Sequence, residues 1–127
     1  MRVKRIEHLT LTVADVKAAQ RFYHEVFDMP TLAETDNEIT LRCGHHELTL
    51  ANASQKELAA KNPTIGAADL QLIVGDNMED VLNHLKSYFV DIVAGPLKKK
   101  GLEGDILSVY IKDDDGNLIE VSTYSNR

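Results

Sequence analysis

The chain states one pattern twice. Residues 6–13, IEHLTLTV, alternate, with Leu9, Leu11 and Val13 on one face and His8, Thr10 and Thr12 on the other. Asp15 has the character of a helix N-cap. Val16, Ala19, Phe22, Tyr23, Val26 and Phe27 then follow at helical spacing until Asp28 and Pro30 stop them. Two short strands come next, 39–43 and 47–51, about a turn at Gly44 and His45. Residues 69–76, DLQLIVGD, restart the pattern, with Leu70, Leu72 and Val74 opposing Asp69, Gln71 and Ile73. A cap at Asp76 or Asn77 precedes a helix carrying Met78, Val81, Leu82, Leu85 and Phe89. A strand at 91–94, a GPLKKKGLEGD loop, a strand at 107–112, a DDDG turn and a strand at 118–124 complete the second copy. The copies are offset by 69 − 8 = 61 residues at the first strand and 76 − 15 = 61 at the cap. Internal repetition constrains a fold more than any single motif does. Each half reads β-α-β-β-β, so the expected class is α+β. The expected organisation is a single domain over 1–127, built of modules 1–52 and 67–127 joined by a linker at 53–66.

A half of this kind leaves one sheet face uncovered by its helix. Two halves can set those curved mixed sheets around a cavity. Glu120 sits at the centre of its strand and shares parity with Leu118, Ser122 and Tyr124. Either that face is wet and Glu120 points at water, or it lines a cavity and Glu120 does chemistry there. Across the DDDG hairpin, Ser108 and Tyr110 belong to the polar set; in the first half, Glu47, Thr49 and Ala51 oppose Leu48 and Leu50. His8, Thr10, Glu47, Thr49, Gln71, Tyr110 and Glu120 all facing inward are too many polar groups for a dry core. They suit a small-molecule pocket.

Composition narrows the partners. The net charge of −6 argues against nucleic-acid binding, which needs clustered Lys and Arg. Cys43 is the only cysteine, so no disulfide can close within the chain, which fits a reducing compartment. The N-terminal stretch MRVKRIEHLTLTV has no continuous apolar h-region, and no apolar run is long enough to span a bilayer. The reading is a cytoplasmic protein with no membrane partner.

The stretches IEHLTLTVADVKAAQRFYHEVFDMP and SVYIKDDDGNLIEVSTY resemble the vicinal-oxygen-chelate superfamily, which includes glyoxalase I, fosfomycin-resistance thiol transferases, extradiol dioxygenases and bleomycin-binding proteins. The resemblance covers essentially the whole chain and is strongest to the glyoxalase-domain-containing protein 5 type. It implies paired β-α-β-β-β modules around a divalent metal ion (Zn, Ni, Mn or Fe), with a His on the first strand and a Glu on the last as ligands; these match His8 and Glu120. Asp69 stands where a second His often occurs, and is a ligand, a cap or a salt-bridge partner. For the ligand on the first module's last strand, one register points to Glu47 and another to Ala51; Glu47 is otherwise an exposed edge-strand carboxylate. Tyr110 is either a catalytic hydroxyl donor to a bound oxyanion or a packed aromatic. Thr10, Thr49, Gln71, Ser108 and Lys99 are the candidate substrate contacts. The run Lys98 to Lys100 is either a solvated loop or a mobile lid that draws in an anion. His45 and His46 are expected in solvent. The implied function is a metal-dependent glyoxalase-like lyase, isomerase or thiol transferase, in which Glu120 can also act as base. The alternative is a metal-free ligand-sequestering protein of the bleomycin-resistance type, and an extradiol dioxygenase fits less well. The implied assembly is a homodimer with sites shared between chains.

Overall fold

The computed structural model describes residues 1–52 and 59–125. The chain divides into two compact units, Met1–Gly66 and Ala67–Arg127. Residues 53–58 of the expected linker lie outside the described residues.

The first unit runs β1 (His8–Val13), α1 (Val16–Phe27), β2 (Thr31–Glu34), β3 (Glu38–Cys43) and β4 (His46–Asn52). Asp15 caps α1, its carboxylate accepting the N–H groups of Lys17 and Ala18 at 3.0 and 3.1 Å. Asp28 ends the helix in the left-handed region at φ 54°. The apolar stripe buries Val16, Ala19, Tyr23 and Val26, and the helix packs on β3 and β4. Lys17 reaches Glu34, and Gln20 donates to Thr31 at 2.8 Å, so polar contacts tie the helix to β2. The sheet order is β1-β4-β3-β2, with β1 parallel to β4 and the remaining pairs antiparallel.

The second unit runs β5 (Asp69–Ile73), α2 (Met78–Ser87), β6 (Ala94–Gly101), β7 (Gly104–Lys112) and β8 (Leu118–Tyr124). Its sheet order, β5-β8-β7-β6, repeats that of the first unit: first, last, third, second. Asn77, not Asp76, caps α2, its side chain accepting from the Asp80 N–H at 2.9 Å. The two caps are thus 77 − 15 = 62 residues apart, one more than the first strands. The DDDG turn is held by side chains. Asp113 accepts from the backbone N–H groups of Asp115 and Asn117 at 3.0 and 2.9 Å, and Gly116 takes φ 89°. The buried Asn117 amide donates to Asp113 at 2.9 Å and accepts the Ala68 N–H at 2.8 Å, pinning the start of β8 beside the start of β5.

Four expectations change. TLAE, with no apolar alternation, forms the exposed strand β2, which the β-α-β-β-β pattern requires of the first half but to which no residues were assigned. Phe89 is not a core residue of α2: the helix stops at Ser87, and Phe89 sits at φ 58° with 93% of its surface exposed. The GPLKKKGLEGD segment is not a loop but most of β6 and its turn into β7. Residues 97–101 pair antiparallel with 104–108, and an irregularity between Ala94 and Leu97 accommodates Gly95 and Pro96. Of the segment expected as a strand at 91–94, only Ala94 belongs to β6. A strand edge rich in Lys is a solvated edge that resists pairing with another chain, which is why a lysine run can be a strand here.

Candidate ligand site on the second sheet

The register of each sheet defines matching rows. In the first unit, Thr10 lies beside Thr49, which lies beside Thr40. In the second, Gln71 lies beside Glu120, which lies beside Tyr110. The rows correspond, since 71 − 10 = 61 is the offset of the first strands. The internal counterpart of Glu120 is therefore Thr49, and neither Glu47 nor Ala51. The first row is neutral, with the Thr40 and Thr49 hydroxyls 3.3 Å apart. The second row is charged.

Strand parity places Gln71, Tyr110, Glu120, Ser108 and Ser122 on one face. Lys99 joins them from β6, because Lys99 pairs with Ile106, which shares the parity of Ser108 and Tyr110. Its ammonium donates to the Tyr110 hydroxyl and to Glu120 Oε2, each at 2.8 Å, and lies 5.5 Å from the centre of the Tyr110 ring. Gln71 donates to Ser122 at 3.1 Å and to Glu120 Oε2 at 3.4 Å. The hydroxyls of Ser122 and Ser108, both fully buried, are 2.7 Å apart. Glu120 keeps only 8% of its surface exposed, so a carboxylate there needs this support. Burial pushes its carboxyl up, but hydrogen bonds from Lys99 and Ser108, with the charge of Lys99, outweigh burial and hold it below the usual 4.5. Lys99 is raised above its usual 10.5, first by its bond to Glu120 and then by its bond to Tyr110.

The sequence reading named Gln71, Ser108, Tyr110, Glu120 and Lys99 as separate candidates, and the second unit gathers them into one network. It missed Ser122 as a bonding partner, although parity with Glu120 pointed to it, and Thr40 opposite Thr49. Asp69 is exposed at the start of β5 beside Leu118. In the first unit, His8 and Glu47 are lateral neighbours across β1 and β4. Thr10 is exposed and Thr49 buried. His45 is exposed, and His46, also exposed, contacts the Ile6 carbonyl at 2.8 Å. The lysine run is split: Lys100 turns away from Lys99 and pairs with Asp105 at 2.5 Å.

A sequence profile described as the Glyoxalase/Bleomycin resistance protein/Dioxygenase superfamily matches residues 5–121. The chain belongs to that superfamily. Its relatives include Virulence protein STM3117 of Salmonella typhimurium, 38% identical over 98% of this chain and 87% of the relative. The crystal structure of STM3117 superposes with a TM-score of 0.90 and covers 98% of this chain and 99% of that one. The integron cassette protein VCH_CASS1 of V. cholerae is 39% identical, with a TM-score of 0.90 and 98% coverage of both chains. The metallothiol transferase FosB of Staphylococcus haemolyticus is 26% identical over 97% of this chain and 86% of its own. FosX of Listeria monocytogenes, solved with Mn(II) and sulfate, shares the superfamily fold at a TM-score of 0.73 and 14% identity, over 98% of this chain and 94% of its own.

The residues of the second unit do not fit a metal ion as they stand. A carboxylate that ligates a metal must offer it a free lone pair. Glu120 already holds an ammonium at 2.8 Å, and a second cation at the same carboxylate meets its repulsion. Within either unit, no three His, Cys, Asp or Glu side chains among the described residues gather closely enough to hold a metal. No helix among the described residues is long and apolar enough to cross a membrane.

Proposed function

We propose that this chain is a small-molecule-binding member of its superfamily that works without a resident metal, the ligand-sequestering alternative of the sequence reading. The observation that carries the proposal is the Lys99 ammonium held at 2.8 Å by both Tyr110 and Glu120. An ammonium has three N–H donors. Two are engaged by Tyr110 and Glu120, and the side chain of Lys99 remains 38% exposed, which leaves the third for a ligand acceptor. Gln71 adds a polar side chain on the same face, its amide N–H already donating to Ser122 and Glu120. The ligand class is an oxygen-rich small molecule with a carboxylate, phosphonate or carbonyl group for Lys99. The likeness to the glyoxalase-domain-containing protein 5 type is part of the same proposal, as are a cytoplasmic location and a homodimer, which light scattering tests.

The test is calorimetry of metal-free protein against a panel of small carboxylates, phosphonates and polyhydroxylated aromatics. Saturable binding that Lys99→Gln abolishes supports the reading. Binding that this substitution leaves unchanged, or that appears only after metal is added, overturns it.

A second reading, the metal-dependent lyase or thiol transferase, is favoured by His8 and Glu47, an imidazole and a carboxylate side by side in one row. The 26% identity to a metallothiol transferase favours it too. It requires Lys99 to leave Glu120. Metal analysis of purified protein, followed by turnover assays with hemithioacetals, epoxides and catechols, decides between the two.

A further inference from the structure

We propose that Lys99 is a tethered cation that occupies the Glu120 carboxylate in place of a metal ion, so that deleting its charge raises the affinity of that carboxylate for a divalent cation. The inference rests on the metal-free reading above and goes further, because it names the side chain that competes with a metal ion for Glu120.

Three observations carry it. First, the carboxylate lies in a setting built for a cation. Glu120 is nearly buried, and its charge is retained because Lys99 supplies the positive partner. Second, the two groups that hold the ammonium are oxygens, Glu120 Oε2 and the Tyr110 hydroxyl, while Gln71 turns its amide N–H to Glu120 Oε2 from the side. Oxygen donors of this kind suit a hard divalent ion such as Mn²⁺ or Mg²⁺. Third, the ammonium comes from outside the row that it completes. Gln71, Glu120 and Tyr110 belong to β5, β8 and β7, whereas Lys99 is delivered from the edge strand β6 across the row. Removing it leaves the row intact. The equivalent row in the first unit, Thr10, Thr49 and Thr40, carries no charge, so the arrangement belongs to the second unit alone.

The experiment is a Mn²⁺ titration followed by water-proton relaxation, on the full chain, for the parent, Lys99→Met, Lys99→Arg and the double variant Lys99→Met with Glu120→Gln. The Lys99→Met protein is expected to bind Mn²⁺ at least about tenfold more tightly than the parent, because a like charge has gone from the site. Lys99→Arg, which keeps the charge, is expected to stay with the parent, and the double variant to lose the gain. Lys99→Gln repeats the test if Lys99→Met fails to match the parent's circular dichroism. Equal Mn²⁺ affinity in the parent and both neutral variants overturns the inference, as does a gain that survives Glu120→Gln. The small-molecule titrations are read separately. A parent that binds none of the panel, alongside a neutral variant that gains Mn²⁺, ends the proposed function and leaves the inference standing. The opposite pair of results does the reverse.

Discussion

Replacing Glu120 by Gln keeps the shape of the side chain and removes its charge. In the parent, Glu120 accepts a charged hydrogen bond from Lys99 at 2.8 Å while nearly buried. Hydrogen bonds to charged groups contribute about 1.5–3 kcal/mol net, and exposed ion pairs about 1 kcal/mol or less. The side chain of Lys99 is 38% exposed and that of Glu120 10%, so solvent screens the pair and the lower part of the range applies. The substitution is expected to cost about 1 kcal/mol near neutral pH, or a fall in Tm of about 4 °C. The pH dependence is the sharper test. The carboxyl of Glu120 is lowered from 4.5 in the folded chain, so its contribution is complete above pH 4.5 and is lost as the pH falls through the folded-state value. Lys99 is raised from 10.5, so its contribution is complete below that pH and is lost only as the pH rises through its folded-state value. Urea denaturation at a series of pH values should therefore show the parent–variant difference shrinking steadily below pH 4.5, where the parent's own carboxyl becomes neutral. A difference that is the same on both sides of that pH would refute the reasoning, because the lost contribution would then have nothing to do with charge.

Asn117→Ala removes the bonds to Asp113 and from the Ala68 N–H, and should cost about 2–4 kcal/mol in urea denaturation, with faster hydrogen exchange at Ala68. Phe89→Gly replaces an exposed bulky residue at φ 58° and should stabilise the chain by about 0.5 kcal/mol, since left-handed strain is relieved and no buried contact is lost. Gly95→Ala would place a Cβ 2.5 Å from the Ser108 carbonyl oxygen at φ 94°, and should destabilise by more than about 2 kcal/mol. It should also weaken ligand binding by displacing β6 and Lys99 with it.

Much of this was legible in the chain because strands alternate with a period of two. The parity of Leu9, Leu11 and Val13 against His8, Thr10 and Thr12 needs only the sequence. So does the set that puts Tyr110 opposite Glu120 across a turn whose Asp-Gly signal fixes the hairpin. The repeat offset then supplies the second module. Other features were hidden for physical reasons. Residues 31–34 have no apolar alternation to mark them as a strand. Gly95 and Pro96 interrupt the period just before Lys98, so three lysines read as solvated charge. Once strand pairing restores the period, Lys99 alone falls on the face of Glu120. The parallel register of β1 and β4 is set by contacts across the sheet, and no property of either strand alone says that Thr49 is the counterpart of Glu120. Phe89 fits the helical period of α2, but the helix has ended before it.

The central claim is that Glu120 is held by the Lys99 ammonium and not by a metal ion. Crystals of the full chain grown with excess Mn²⁺, measured for anomalous scattering, test it most directly. The account predicts no anomalous peak at the Glu120 carboxylate and Lys99 Nζ still within hydrogen-bond distance of Glu120 Oε2. A peak at that carboxylate, with the Lys99 side chain displaced, would contradict it.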